Sequence, residues 1–402
     1  MRVEILKGNA TGKACAPPSK SMAHRNLICA ALSENSTVTG VAYSEDILAT
    51  LDCLKALGAR VEINGDTVTL GGLNPFAAAS GELNCRESGS TLRFMLPMCL
   101  LSGNRITLFG SGRLLQRPMT VYKALCSEQG IDFYQDDSCI RVQGRLKGGE
   151  FKVDGSVSSQ FISGLLFACP LLSCDSVINI TGDLQSESYL RLTLASLADF
   201  GIRVDSSNIR SIKVYGNQHY QNKSITVEGD YSNAAFLEAL NCLGGSVEVM
   251  GLKETSLQGD KVYLEILPKL KGGGAEISLA DCPDLGPILF ALAAAGKGAT
   301  FTRTRRLRIK ESDRVLCMAQ ELSKFGVKMD VKEDSVTVYG GIKKPTEAIF
   351  GHNDHRIVMA MAVLSTITGG VIEGAEAVKK SYPDFFSVIS TLGIGVKYYE
   401  AE

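Results

Sequence analysis

The sequence predicts a mixed α/β fold (α+β) in two globules, built from six copies of one βαβαββ-type unit, three to a globule. Three observations carry this. At 402 residues the chain exceeds the size at which a single hydrophobic core stops growing. A short polar segment rich in Ser, Asp or Arg, followed by an apolar helical run, recurs six times. A second series, of six glycines that close helices ahead of strand-like runs, keeps nearly the same interval.

Met1 to Leu6 alternates apolar and polar residues and reads as the first strand. The polar segments follow at Pro18-Ser19-Lys20-Ser21, Glu87-Ser88-Gly89-Ser90, Val157-Ser158-Ser159-Gln160, Gly229-Asp230-Tyr231-Ser232, Cys282-Pro283-Asp284 and Asn353-Asp354-His355-Arg356. Marked by Ser21, Ser90, Ser159, Ser232, Asp284 and Asp354, they are 69, 69, 73, 52 and 70 residues apart. The closing glycines Gly58, Gly130, Gly201, Gly272, Gly326 and Gly393 are spaced 72, 71, 71, 54 and 67. Both series shorten between the fourth and fifth units. Runs such as Arg60 to Leu70 supply the strand-like segments.

The polar stretch Asn217 to Ser224 divides unit three from unit four. Pro17-Pro18 marks a second crossing, because the first strand precedes the first repeat and can pair elsewhere. The expected globules are residues 16–222, holding repeats one to three, and residues 1–15 with 223–402, holding repeats four to six. Two linkers side by side predict a hinge at both crossings.

Composition excludes several classes. Hydrophobic residues at 45% and charged residues at 21% are ordinary globular values. A formal charge of −1 argues against nucleic-acid binding, which needs a basic footprint. The longest apolar stretch, Phe161 to Cys174, is too short to span a bilayer, and the opening residues have no signal-peptide core. The chain is therefore expected to be cytoplasmic, with no membrane partner. Its 12 cysteines contain no Cys-x-x-Cys; Cys29, Cys53, Cys99, Cys169, Cys242 and Cys317 lie among apolar neighbours and read as reduced core thiols. His352 and His355 have no third ligand nearby, so no metal site is expected.

Each polar segment opens a helix, where unpaired N–H groups and the positive dipole end attract anions. Lys20 and His24, and Ser21 and Arg25, lie four apart and so share helix sides. The apolar run Leu27 to Leu32 makes this a buried helix with a basic start, which suits phosphate better than a solvated face. Gly89 is placed where a ligand can approach the backbone, with Arg93 one turn on. Arg117-Pro118 reads as the start of another helix. One serine of Ser158-Ser159-Gln160 is explained by capping; two and a Gln are not. Lys310-Glu311-Ser312-Asp313-Arg314 places Lys310 and Arg314 one turn apart, suited to a shared anion. Asp284, at a helix start among apolar residues, is the candidate general base, with burial expected to raise its pKa toward neutrality.

Together these segments resemble the 5-enolpyruvylshikimate-3-phosphate synthase family. The resemblance rests on Pro18 to Arg25, Arg308 to Arg314 and Asp354-His355-Arg356. Further matches are Gln116-Arg117-Pro118, Ser158-Ser159-Gln160-Phe161, Val227 to Asp230, Gln258-Gly259-Asp260, Pro283-Asp284 and Lys380 to Asp384, in the family's order across nearly the whole chain. It implies an inside-out α/β barrel with two globules that close on the substrates. It implies transfer of the enolpyruvyl group of phosphoenolpyruvate to the 5-hydroxyl of shikimate 3-phosphate, in the shikimate route to chorismate and the aromatic amino acids. Phosphate is released by addition and elimination through a tetrahedral intermediate.

By motif match, Lys20, Ser21, Arg25, Ser158, Ser159, Gln160, Ser186, Asp284 and Lys310 would contact shikimate 3-phosphate. Lys20, Gly89, Arg117, Gln160, Arg314, Arg356 and Lys380 would hold phosphoenolpyruvate. Asp284, Glu311 and Lys20 would carry the proton transfers. Arg306, Tyr189 and His355 are further candidate site residues. Glu87 and Arg306 depart from the commonest family pattern, and Glu87 is left out. No cofactor is implied, and a monomer is expected. Two alternatives remain. A UDP-N-acetylglucosamine enolpyruvyl transferase would usually carry a Cys in the loop Gly110 to Gln116, which has none; a non-catalytic phosphate-ligand binding protein would have no use for Asp284, Glu311 and Lys20.

Overall fold

The structure is a computed structural model and describes residues 1–399. The chain opens with β1 (Arg2–Ile5) and β2 (Thr11–Cys15). The first repeat follows as α1 (Lys20–Leu32), β3 (Ser36–Thr39), α2 (Glu45–Ala56), β4 (Arg60–Asn64) and β5 (Thr67–Gly71). The second is β6 (Gly81–Asn84), α3 (Gly89–Cys99), β7 (Ile106–Phe109), α4 (Thr120–Gln129), β8 (Asp132–Gln135) and β9 (Cys139–Gln143). The third is β10 (Glu150–Asp154), α5 (Ser159–Ala168), β11 (Ser176–Thr181), α6 (Glu187–Asp199), β12 (Val204–Asp205) and β13 (Ser211–Val214). The fourth has only β14 (Ser224–Thr226), α7 (Tyr231–Cys242), β15 (Ser246–Met250) and α8 (Tyr263–Gly272). The fifth is β16 (Ala275–Ser278), α9 (Gly286–Ala295), β17 (Ala299–Thr302), α10 (Arg314–Lys324), β18 (Met329–Val331) and β19 (Ser335–Val338). The sixth is β20 (Ile349–Phe350), α11 (His355–Thr368), β21 (Gly370–Glu373), α12 (Phe385–Thr391) and β22 (Val396–Tyr399).

A complete repeat makes one four-stranded sheet. Its first two strands run parallel through a helical crossover, and its last two form an antiparallel hairpin, as in the order β10-β11-β13-β12. The shortened interval has a structural cause. The fourth repeat lacks the hairpin, and β15 pairs only with β2 in the one two-stranded sheet among the described residues. The sixth repeat lacks its last strand within the chain order, and β1 supplies it by pairing antiparallel with β21 and β22.

The strands ahead of the first and fourth repeats exchange places. β2 precedes α1 but pairs with β15, whereas β14 precedes α7 but pairs with β3. The compact units are accordingly Met1–Pro17 with Gly229 onward, and Pro18–Glu228. The boundaries expected at 15/16 and 222/223 are thus corrected: the strand at Ser224–Thr226 stays with the first three repeats because its ladder partner, β3, is there. Each unit has its own buried core. One includes Leu27, Leu96, Phe161 and Phe167; the other includes Phe236, Leu289, Phe301 and Val363.

Local chemistry explains the helix starts. Ser19, Ser88, Ser158, Asp230, Asp313 and Asp354 each accept a bond from a backbone N–H in the first turn of the helix that follows. The strand-like run Arg60 to Leu70 forms β4 and β5, an antiparallel hairpin pairing Ile63 with Val68. Two readings are corrected. The residue with positive φ that closes α8 is Gly273, at +76°, and not Gly272, which ends the helix itself. Arg117-Pro118 opens no helix: Arg117 is extended at the end of a 3-10 turn, and α4 begins at Thr120. All 12 cysteines are free; Cys242 and Cys317, read as core thiols, are only half-buried.

Candidate active site

In the unit Pro18–Glu228 the starts of α1, α3 and α5 are tied together by their own polar side chains. Nζ of Lys20 lies 2.8 Å from Oδ2 of Asp46, in the first turn of α2. Arg25 is 2% exposed and crosses to α6, with Nε donating to Thr193 Oγ1 at 2.9 Å and Nη2 to the Tyr189 carbonyl at 2.9 Å. Its Nη1 donates to the Ser21 carbonyl at 2.7 Å. Burial draws the guanidinium pKa down to about 10, so it remains a cation at neutral pH. Between Lys20 and Arg25, His24 is neutral, because burial and then the two cations push its pKa well down. Its Nδ1 meets Thr50 Oγ1 at 2.7 Å. From there hydroxyls run through Thr91 to the N-cap Ser88, each step also 2.7 Å.

Gly89 follows that cap, and the group that approaches its backbone is the Arg117 guanidinium: a Cβ at this position would sit 2.5 Å from Arg117 Nη1. Gln160, in the first turn of α5, accepts from Arg93 Nη1 at 2.7 Å and donates to Ser90 at 2.9 Å, joining α5 to α3. Ser158 caps α5, and Ser159 beside it is 2% exposed. Ser186 is buried ahead of α6 with φ of +54°, a left-handed conformation that a non-glycine residue keeps only where its surroundings impose it. Tyr189 lies in the first turn of α6, where its carbonyl takes the Arg25 bond.

In the other unit the charges are denser. Oδ1 of Asp284 lies 3.2 Å from Nζ of Lys310 and 2.9 Å from Nη1 of Arg314, and Oδ2 lies 3.7 Å from Nη2 of Arg356. Arg314, 1% exposed, also meets Glu311 and Asp354, each at 2.8 Å. Arg356 donates to the Ser232 carbonyl at 3.0 Å, which connects α11 to the start of α7. Lys380 donates to the Asn353 carbonyl at 2.6 Å. His355 is 2% exposed at the start of α11. Arg306 lies in the 3-10 helix Arg305–Ile309, and its charge joins burial in pushing the Lys310 pKa down.

The expectation for Asp284 is corrected. It lies inside the 3-10 turn Pro283–Leu285 and makes no side-chain cap. Burial does favour its neutral form, but Lys310, Arg356 and Arg314 outweigh burial and hold the carboxyl well below the usual carboxylate range. Asp284 is therefore ionised at neutral pH. Arg314 is also charged: burial opposes its charge, but Asp354, Glu311 and Asp284 more than compensate.

Sequence reasoning missed two contributors and the partner of a third. Asp46 neutralises Lys20. Arg93, expected one turn after Gly89, holds Gln160, a pairing no spacing rule gave. Asp260, 3% exposed, has its pKa raised to about 6, by burial first and the charge of Asp284 second. Of the two missed residues only Asp260 had a signal, the motif Gln258-Gly259-Asp260. The partner Asp46 is 26 residues from Lys20, on another helix, where no spacing rule reaches.

The repeat architecture, with a carboxylate set among three cations, is that of an enzyme for anionic substrates. Solved structures place the fold among the enolpyruvyl transferases. An EPSP synthase from Acinetobacter baumannii is similar over 99% of this chain and 100% of its own, at 26% identity and a TM-score of 0.78. The enolpyruvyl transferase NikO from Streptomyces tendae reaches the same TM-score, 0.78, at 13% identity over 98% of each chain, a likeness of fold alone.

Sequence is more specific. The pattern defining EPSP synthase (3-phosphoshikimate 1-carboxyvinyltransferase) matches residues 7–278 and 269–389, and the chain belongs to this family. It is 41% identical to the 3-phosphoshikimate 1-carboxyvinyltransferase of Clostridium kluyveri, over 97% of each protein. A Clostridium perfringens protein of the same name is 38% identical over 98% of each.

Proposed function

We infer that the chain transfers the enolpyruvyl group of phosphoenolpyruvate to the 5-hydroxyl of shikimate 3-phosphate. The products are 5-enolpyruvylshikimate 3-phosphate and phosphate, on the route to chorismate and the aromatic amino acids. Full-length identity to proteins of that name supports the reaction. The observation that carries the chemistry is Asp284, kept ionised by Lys310, Arg314 and Arg356.

Each substrate brings a phosphate and a carboxylate, so about six negative charges must be met by local cations. In this reading Lys20, Ser21, Arg25, Ser158, Ser159, Gln160, Ser186, Asp284 and Lys310 bind shikimate 3-phosphate. Lys20, Gly89, Arg117, Gln160, Arg314, Arg356 and Lys380 bind phosphoenolpyruvate. Arg306, Tyr189 and His355 border these groups.

Asp284 takes the proton of the 5-hydroxyl as its oxygen bonds to the enol carbon, and the methylene gains a proton. Loss of a methyl proton then re-forms the double bond and expels phosphate. Glu311 and Lys20 are the assigned proton carriers. A strongly acidic carboxyl is a weak base, and this has a physical remedy. Substrate anions paired with Arg314, Arg356 and Lys310 offset the cations that depress Asp284, raising its basicity when it is needed.

The reading takes the enzyme to act as a monomer. Among the described residues no helix is long and apolar enough to cross a membrane. The reading takes the enzyme to be cytoplasmic. The deciding experiment is phosphate release from shikimate 3-phosphate with phosphoenolpyruvate. Turnover with UDP-N-acetylglucosamine in place of shikimate 3-phosphate would reverse the assignment.

A further inference from the structure

One buried carboxylate is unused by the chemistry above. Glu321 lies on α10 seven residues after Arg314, so the two share a helix face. Its side chain is 2% exposed. Oε1 lies 2.7 Å from Nε2 of His352, while Oε2 accepts from the Phe350 backbone N–H at 2.8 Å and lies 2.8 Å from Nζ of Lys324. Burial alone would raise the carboxyl pKa, but these three donors hold it below its ordinary value. Burial would likewise lower the His352 pKa, yet Cys317 and Glu321 raise it to about 9, so the pair is ionic at neutral pH.

The segment it holds is unusual. His352 and Asn353 are consecutive non-glycine residues with φ of +50° and +52°. Such conformations cost free energy and persist only where surrounding structure imposes them. Directly after them, Asp354 caps α11 and meets Arg314 Nε at 2.8 Å, and Arg356 begins its reach toward Asp284. The Asn353 carbonyl takes Lys380 at 2.6 Å. One turn therefore bears on three assigned cations, and α10 grips it twice, by Arg314 to Asp354 and by Glu321 to His352.

We propose that Glu321 and His352 are positioning residues, whose hydrogen-bonded contact holds the 352–353 turn left-handed and thereby places Arg314, Arg356 and Lys380 for phosphoenolpyruvate. The proposal rests on the enolpyruvyl-transfer reading.

Steady-state kinetics of the full chain test it, with His352→Ala, His352→Gln and Glu321→Ala beside the wild type. In His352→Ala, KM for phosphoenolpyruvate should rise about tenfold, with KM for shikimate 3-phosphate changed less than about twofold and kcat falling less than KM rises. His352→Gln, whose Nε2 can still donate to Glu321, should recover most of the loss. Glu321→Ala should show the same split; if it does not fold, the two His352 variants decide. Both KM values unchanged with kcat lowered, both raised equally, or a Gln variant as impaired as the Ala variant would each overturn the proposal. A wild type inactive with both substrates would instead refute the reaction.

Discussion

Nη1 of Arg314 donates to Oδ1 of Asp284 across 2.9 Å, and the same oxygen faces Nζ of Lys310 at 3.2 Å. The candidate base and two candidate anion ligands are therefore paired with one another before any substrate is considered. Arg314 keeps Glu311 and Asp354 if Asp284 is removed, so the fold should tolerate that change.

Asp284→Asn should lower kcat by about 10²–10⁴, the range for loss of a general base, with the circular dichroism spectrum retained. Activity within tenfold of wild type would remove Asp284 from its role.

Lys310→Met should move the acid limb of the kcat/KM profile to higher pH. The folded-state pKa of Asp284 is depressed, so its ionised form, and the stability it contributes, persist above the unfolded value and are lost only as pH falls through the folded value. Removing Lys310, the largest of the three depressing charges, lifts that folded value. An unmoved limb would mean that another group sets it.

Gly89→Ala brings a Cβ within 2.5 Å of Arg117 Nη1. The clash falls on the tip of a flexible side chain, so the protein should fold while Arg117 is displaced. KM for phosphoenolpyruvate should rise by about tenfold or more. An unchanged KM would separate Arg117 from that substrate.

The folded-state pKa of His352 is raised from 6.5 to about 9. The stability this contributes is fully present below pH 6.5 and fades as pH rises through 9, and it is at most about 3 kcal/mol. The groups facing the imidazole are Glu321, with Lys324 behind it, Cys317, and the Phe350 ring at 5.0 Å. Urea unfolding between pH 6 and 10 should show wild type losing more stability than His352→Gln; equal losses would show that the pair contributes nothing.

The helix starts were legible because they are local. Ser19, Ser88, Ser158 and Asp354 are caps whose acceptor and donor lie two or three residues apart. Arg117 shows the limit. A Pro after it matches a helix start, but the chain stays extended there, and the meaning of Arg117 comes from Gly89, 28 residues earlier. Glu321 carried no readable signal. It looks like any polar residue on an amphipathic helix until His352, 31 residues on, is folded against it.

Periodicity and capping alone determined the six α/β units, five of their six helix starts and the break between units four and five, because helix and turn formation depend on neighbours within a few residues. Motif order across the chain pointed to the family. Tertiary structure decided which strand completes which sheet. It set β14 beside β3 and β2 beside β15, since a strand's ladder partner is chosen by packing and not by adjacency. It also decided the charge of Asp284. Burial among apolar neighbours predicts a raised pKa, and only the folded chain brings in Lys310, Arg314 and Arg356, whose fields reverse the sign.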